Sequence, residues 1–374
     1  VLSSYAYRSL AGNFSLGIDP QQILPITDLI GTDASYIRGH EWLKTIFAYD
    51  YMKSICPGKP IFCSETHAVP HGDPAAPGEI RRGLFQRFVH GERLHLMFLN
   101  TSLQIPQYWT TGESPRFNIG QAPEALEALA LTSADISRLT RHLGAFNRRS
   151  PSVLLFYDNA TDLGVPGGDE PPGSYGDRAI RVYESLVPLD VKVGIVTETM
   201  LAQGPPEATL LVLAGARYVS DGTVEALARY VEAGGHLLWL DENLTHDHHG
   251  HPRRTEAVQE LLTSERTTRL PLRVGARDYM GIWRDVLTWA GVTPPHPVVG
   301  VDGKPVWGVE ALSAADANGS TLLFLANASH RPATVALQRP ASSNVAYTDL
   351  ITNASVEPAG IDLATDQVML LRGG

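Results

Sequence analysis

The sequence predicts a three-part α/β chain: two successive units in which strands alternate with helices, then an all-β end. Three observations carry this. Residues 1–147 run strand, helix, strand, helix, strand, helix, the rhythm of a parallel sheet with crossover helices. Residues 148–292 begin that rhythm afresh with "SVLLFYD", a near-continuous apolar run of the kind shown by parallel strands buried on both faces. From residue 293 the texture changes to short strands at intervals of roughly ten residues.

In the first part "TDLIGTD" reads as a strand and "GHEWLKTIFAYDYMKSI" as a helix, because Trp42, Ile46, Tyr49 and Met52 recur near the helical period. The strand "PIFCSE", the helix "PGEIRRGLFQRFVHGE" and the strand "LHLMFLN" follow. After a loop carrying Trp109, "APEALEALALTSADISRLTRHLGAF" predicts a long helix interrupted at its Ser/Asp-rich centre. In the second part a Gly/Pro loop leads to the helix "RAIRVYESLVPLD" and the strand "VKVGIVTE". "ATLLVLAG", "DGTVEALARYVEAGG" and "HLLWLDE" repeat the unit, with Gly234-Gly235 placed to stop the helix. This is the pattern of a flavodoxin-like, doubly wound α/β domain. The helix "DYMGIWRDVLTWAGV" leads out of it to a linker marked by Pro294, Pro295 and Pro297. "KPVWGVEALSA", "STLLFLANAS", "ATVALQ", "NVAYTDL" and "QVMLLR", divided by turn residues, then predict a small antiparallel β-sandwich.

Composition narrows the function classes. A net charge of −10 with scattered Lys and Arg offers no basic patch for nucleic acid, and no apolar run approaches the roughly 18 residues of a membrane span. The two cysteines, Cys56 and Cys63, exclude a disulfide scaffold and form no CxxC pair, and Cys63 reads as a buried thiol. The chain starts at Val1 without the features of a signal peptide, so the expectations are a cytoplasmic protein and a segment of a longer polypeptide.

Glu65 is the leading catalytic candidate. A carboxylate closing an apolar strand is costly unless it is used, and α/β barrels place their catalytic groups where strands end. The competing reading is a helix cap or a structural ion pair. His67, with His71 and Asp73, flanks the same loop and reads as a hydrogen-bonding group near a pocket or as plain surface. Trp109, beside Tyr108, is either a stacking platform for a sugar face or loop packing. Asp33 and Tyr36 close the preceding strand and are placed to reach the same pocket. "ENLTHDHHGH" holds metal-friendly histidines but reads as a polar, mobile loop. The Gly-rich loop at 164–176 lacks both phosphate-loop signatures, and a glutamine-amidotransferase activity is excluded because the second part contains no cysteine.

Taken in order, these parts resemble the back half of glycoside hydrolase family 42 β-galactosidases: "GKPIFCSETH" is similar to the seventh barrel strand, "LHLMFLN" to the eighth, "ARYVEAGGHLLWLDE" to the middle domain and "GSTLLFLANASHRPATVAL" to the final sandwich. The resemblance implies that residues 1–147 are the C-terminal part of a (β/α)8 TIM barrel, 148–292 a flavodoxin-like oligomerisation domain and 293–374 the β-sandwich. It implies a retaining glycosidase acting on terminal β-linked sugars, with Glu65 as nucleophile, Trp109, His67, Tyr36 and Asp33 as substrate contacts, and no metal or organic cofactor. The implied partners are a carbohydrate substrate, two further copies in a homotrimer and the N-terminal half of the barrel. The family's cysteine-rich zinc site has no counterpart, and no Asn-Glu pair of the kind that carries the clan's acid/base precedes Glu65. A barrel needs eight strands and about 250 residues, so this chain alone is expected not to turn over substrate. The rival readings are a non-catalytic carbohydrate-binding relative and an oligomerisation subunit.

Overall fold

The structure is a computed structural model that describes residues 3–4, 19–36, 41–69, 73–97, 119, 122–157, 160–161, 175–271, 275–338 and 346–373. Three sheet systems follow one another along the chain. The first is a four-stranded parallel sheet of β1 (Ser3–Ser4), β2 (Ile30–Tyr36), β3 (Ile61–His67) and β4 (Glu92–Met97), in that spatial order. Helices α1 (Pro20–Ile23), α2 (Glu41–Ile55) and α3 (Pro77–Val89) lie between its strands, and α4 (Pro123–Phe146) follows them.

The second system is parallel throughout: β5 (Val153–Phe156), β6 (Val193–Val196), β7 (Leu210–Ala214), β8 (His236–Leu240) and β9 (Thr267–Leu270), in the spatial order β6-β5-β7-β8-β9. This is the flavodoxin-like order 2-1-3-4-5. Its helices are α5 (Tyr175–Leu186), α6 (Glu198–Gln203), α7 (Asp221–Glu232), α8 (Glu256–Thr263) and α9 (Ala276–Trp289). Ser220 caps α7, its Oγ accepting from Thr223 N at 3.2 Å. Gly234, just past the C-terminal end of the same helix, adopts φ +103°, a left-handed conformation in which a side chain would be strained.

The third system is antiparallel. One sheet holds β10 (Val298–Gly300), β13 (Ala333–Leu337) and β16 (Ile361–Leu363) in the order β10-β13-β16. The other has the order β11-β12-β17-β14-β15, from β11 (Val309–Ala315), β12 (Thr321–Asn327), β14 (Tyr347–Asp349), β15 (Ser355–Val356) and β17 (Val368–Gly373).

Several local expectations change. Alpha-helix α4 runs unbroken through its Ser/Asp-rich centre: Asp135 is held by Arg81 of α3 at 2.5 Å and by Arg138 at 2.8 Å, so packing and ion pairs override a weak propensity. Beta-strand β3 continues two residues past Glu65. Strands β1, β9, β10, β15 and β16, with helices α1, α6 and α8, had no sequence counterpart because each is short. Helix α2 is buried on more than one side rather than amphipathic. Trp42, Leu43, Ile46, Phe47 and Tyr51 join the core of the second sheet, whereas Tyr49 and Met52 pack with Ile61 and Cys63 of β3. Cys56 and Cys63 are both buried free thiols. No helix among the described residues is long and apolar enough to cross a membrane.

Strand β12 reads as a continuous apolar run, unusual for an antiparallel strand with one wet face. Its period-two alternation splits between two cores. Leu323 and Leu325 face the interior of the sandwich, while Leu322, Phe324 and Ala326 pack on α3 and α4, with Phe324 edge-on to Phe146. The sandwich is thus a lid on the helices of the first part.

Buried charge joins the three systems. Asp50 in the middle of α2 accepts from Lys192 Nζ at 2.9 Å and Tyr183 OH at 2.7 Å, and meets His90 Nδ1 at 2.9 Å. The other ring nitrogen of His90 lies 2.8 Å from Glu310 of β11. Burial alone would raise the Asp50 carboxyl, but the His90 and Lys192 charges outweigh it and hold the group far below the carboxylate range. Burial alone would lower His90, but Asp50 and Glu310 raise it above 6.5. A second lock is Asp190, which accepts from Arg149 Nη1 and Ser313 N at 2.6 Å each and from His296 N at 2.8 Å.

Candidate active site

Strand β3 carries the candidate nucleophile. Its first residues, Ile61, Phe62 and Cys63, are buried and β-prone, and they seat the strand between β2 and β4. Beyond Cys63 the regular ladder loosens. The register shifts between Cys63 and Thr66 against β4, and between Thr32 and Asp33 and again before Tyr36 against β2. Such irregularities re-aim side chains. Glu65 and His67, two residues apart, share one face, and their side chains meet with His67 Nε2 2.6 Å from Glu65 Oε1. The Glu65 side chain is 28% exposed and His67 7%. Oε2 of Glu65 has no hydrogen bond among the described residues.

The other side of the strand is tied to the helices. Thr66 Oγ1 accepts from Arg87 Nη1 of α3 at 2.7 Å and lies 2.9 Å from Cys63 Sγ, and Cys63 Sγ donates to the Glu65 carbonyl at 3.3 Å. The backbone on both sides of the Glu65 side chain is therefore held.

Next to it lies a cluster that sequence reasoning did not single out. Glu92, fully buried at the start of β4, accepts from Tyr49 OH of α2 at 2.6 Å on one oxygen and meets His95 Nδ1 at 2.9 Å on the other. The Cys63 sulfur joins Glu92 and His95 with ligating atoms within 4.8 Å of one another. Residues three apart in a strand face opposite sides, and Glu92 and His95 converge because pairing slips from Ile61↔Glu92 to Phe62↔Leu94. Only that slip, invisible in "GERLHLM", makes the cluster. Burial, then the Glu92 charge, pushes the Tyr49 hydroxyl well above its usual value. With both carboxylate oxygens engaged, the arrangement acts as a brace between β4, β3 and α2.

The remaining sequence candidates divide. Asp33 and Tyr36 lie on β2 in register with Glu65 and His67 respectively. Trp109, Tyr108 and His71 lie outside the described residues, and Asp73 is exposed. The histidine-rich loop forms a hydrogen-bonded turn: Asp247 accepts from the backbone N–H of His249 and His251 at 2.9 Å each, and His246 bridges to Tyr218 and Pro252.

No protein-family model and no curated protein sequence matches the chain. Solved structures do. A GH42 exo-carrageenase from Bacteroides ovatus superposes with TM-score 0.74 at 18% identity, over 96% of this chain and 49% of that one. A β-galactosidase from Bacillus circulans sp. alkalophilus gives 0.73 at 15% identity, over 96% of this chain and 62% of that one. A β-galactosidase from the psychrophilic Marinomonas ef1 gives 0.68 at 14% identity, over 95% and 62%. The chain has a GH42-like fold and spans about half to three-fifths of the length of these structures.

Proposed function

We propose that the chain is the C-terminal portion of a retaining glycoside hydrolase that removes terminal β-linked sugars, β-galactosides foremost, through a glycosyl ester on Glu65. The observation that carries this reading is the state of Glu65: a part-exposed carboxylate on a parallel strand, one oxygen held at 2.6 Å by His67 and the other without a described partner. The GH42-like fold supports it. In the proposed reaction Oε2 attacks the anomeric carbon while an acid protonates the departing oxygen, and water then cleaves the ester. Retention needs a second carboxylate about 5–5.5 Å from the nucleophile. We place it on polypeptide beyond these 374 residues, since the matched structures extend well past the region this chain covers.

On this reading His67 positions Glu65, Asp33, Tyr36 and Trp109 contact substrate, and the chain divides at 147/148 and 292/293. The test is covalent labelling of the full-length protein with a 2-fluoro glycoside, whose fluorine slows hydrolysis of the intermediate. Peptide mapping is expected to place the label on Glu65, and Glu65→Gln to abolish turnover with unchanged circular dichroism. A label on another carboxylate overturns the assignment.

A further inference from the structure

Remote from Glu65 in the sequence, helix α9 and turns of the sandwich line a half-open cavity of about 900 Å³. That volume falls within the roughly 300–1,000 Å³ of pockets that enclose small ligands, so the concavity suits a small molecule better than a protein surface. Its charge is opposite to that of the chain. In a protein of net charge −10, the walls carry Arg277, Arg284, Lys304 and Arg331 against one acid, Asp285. The side chains of Arg284, Lys304 and Arg331 make no ion pair or hydrogen bond among the described residues. Arg277 lies 5.3 Å from the ring centre of Trp307, which also lines the cavity. The nearby acids leave this excess in place. Asp302 is engaged by Lys304 N at 3.1 Å, and Glu184, which senses Arg277, is pushed up to about 7 by burial.

The spacing of the cations says what kind of anion fits. Arg277 and Arg284 are seven residues apart, on one face of α9 and about 10 Å apart along its axis. Lys304 and Arg331 come from the sandwich wall. The N-terminus of α9, a ready phosphate site, is already capped by Asp278, whose Oδ2 accepts from Gly275 N at 3.0 Å. One compact phosphate is therefore poorly served, and charges repeated along an extended ligand are well served. Gly281 lies on the same wall between the two arginines, where an added Cβ would meet nothing within 4 Å. The helix leaves room at that point. The geometry points to a binding site for an acidic oligosaccharide, its sulfate esters or carboxylates paired with Arg277, Arg284, Lys304 and Arg331 and a ring face on Trp307. This site is separate from Glu65 and does not depend on Glu65 being a nucleophile.

Titration calorimetry on the full-length protein tests it with four probes: a sulfated galactan tetrasaccharide, a tetragalacturonate, a neutral galacto-tetrasaccharide and inorganic sulfate. At least one acidic tetrasaccharide is expected to bind, at least tenfold more weakly to the Arg284→Glu/Arg331→Glu double variant and more weakly at 200 mM than at 50 mM salt. Gly281→Phe, which fills the cavity from an open position, is expected to abolish binding, whereas Gly281→Ala retains it. Should the charge-reversal variant fail to fold, the two Gly281 variants decide alone. The two acidic probes distinguish sulfate from carboxylate recognition. Binding unaffected by any cavity variant, equal binding of the neutral probe, inorganic sulfate matching the oligosaccharides (an adventitious ion only), no binding at all, or a change of oligomeric mass in place of lost affinity would each overturn the proposal.

Discussion

His67 touches Glu65 through a single 2.6 Å contact, and that contact sets a test at the scale of one residue. As a positioning group its loss frees a carboxylate whose placement matters to within about 1 Å, an error worth about 100-fold in rate. His67→Ala is expected to lower kcat by about that factor with little change in KM and to reshape the pH–rate profile. A merely structural histidine would lower thermal stability and leave the pH profile of the surviving enzyme unchanged. Asp50 makes the other residue-scale test. Removing it leaves His90 and Lys192 buried beside an unbalanced charge, a loss worth about 3–5 kcal/mol. The urea midpoint of Asp50→Ala should fall accordingly. The pH dependence has a definite sign. His90 is raised in the folded state, so its contribution is fully present below about 6.5 and disappears as pH rises through the folded value. Asp50 is depressed, so its contribution is lost as pH falls below about 3.8. Lys53, drawn down to about 7 by burial and then by Lys192, acts oppositely to His90, adding stability as pH rises from about 7 toward 10.5. Comparing the protein with His90→Gln across this range cancels Lys53, and the gap in urea midpoint is expected to close toward alkaline pH. A gap independent of pH would show that His90 is held neutral.

Between elements, close approach decides more than pattern. The ring of Phe62 on β3 lies against Gly31 on β2, where a methyl group would enter the ring. Gly31→Ala is expected to cost about 1–3 kcal/mol by overpacking and to disturb the strand that carries Glu65. Thermal unfolding, with the rate of 2-fluoro glycoside labelling as the local readout, checks both effects. Helix α2 and strand β12 follow the same logic. Each is apolar on two sides because each belongs to two cores, and their sequences announce the apolarity without naming the partners.

For the whole molecule, the sandwich closes over α3 and α4 while α2 inserts into the core of the flavodoxin-like sheet, so the parts fold against one another. Leu94 and Leu96 of β4 remain 49% and 46% exposed, an apolar face on the sheet that bears Glu65. The flavodoxin-like sheet carries none of the catalytic candidates on which the proposed hydrolysis depends, and we propose for it an assembly role in a homotrimer. Light scattering at micromolar concentration is expected to give three times the chain mass, and a monomer at that concentration would remove this role.

The sequence by itself determined the order of the three sheet systems, the parallel character of the first two and the placement of Glu65 on a core strand, because apolar periodicity and turn residues act over a few neighbouring positions. It also carried the GH42 likeness, since the order of parts is readable without any long-range contact. The tertiary structure alone decided the rest. The meeting of Glu92, His95 and Cys63 depends on a slip in strand pairing. The buried charges of Asp50, His90, Lys192 and Glu310 are drawn from four distant stretches of chain. The basic cavity is assembled from α9 and two turns of the sandwich. Each depends on distances between residues far apart in the chain, and such distances are fixed by packing rather than by local propensity.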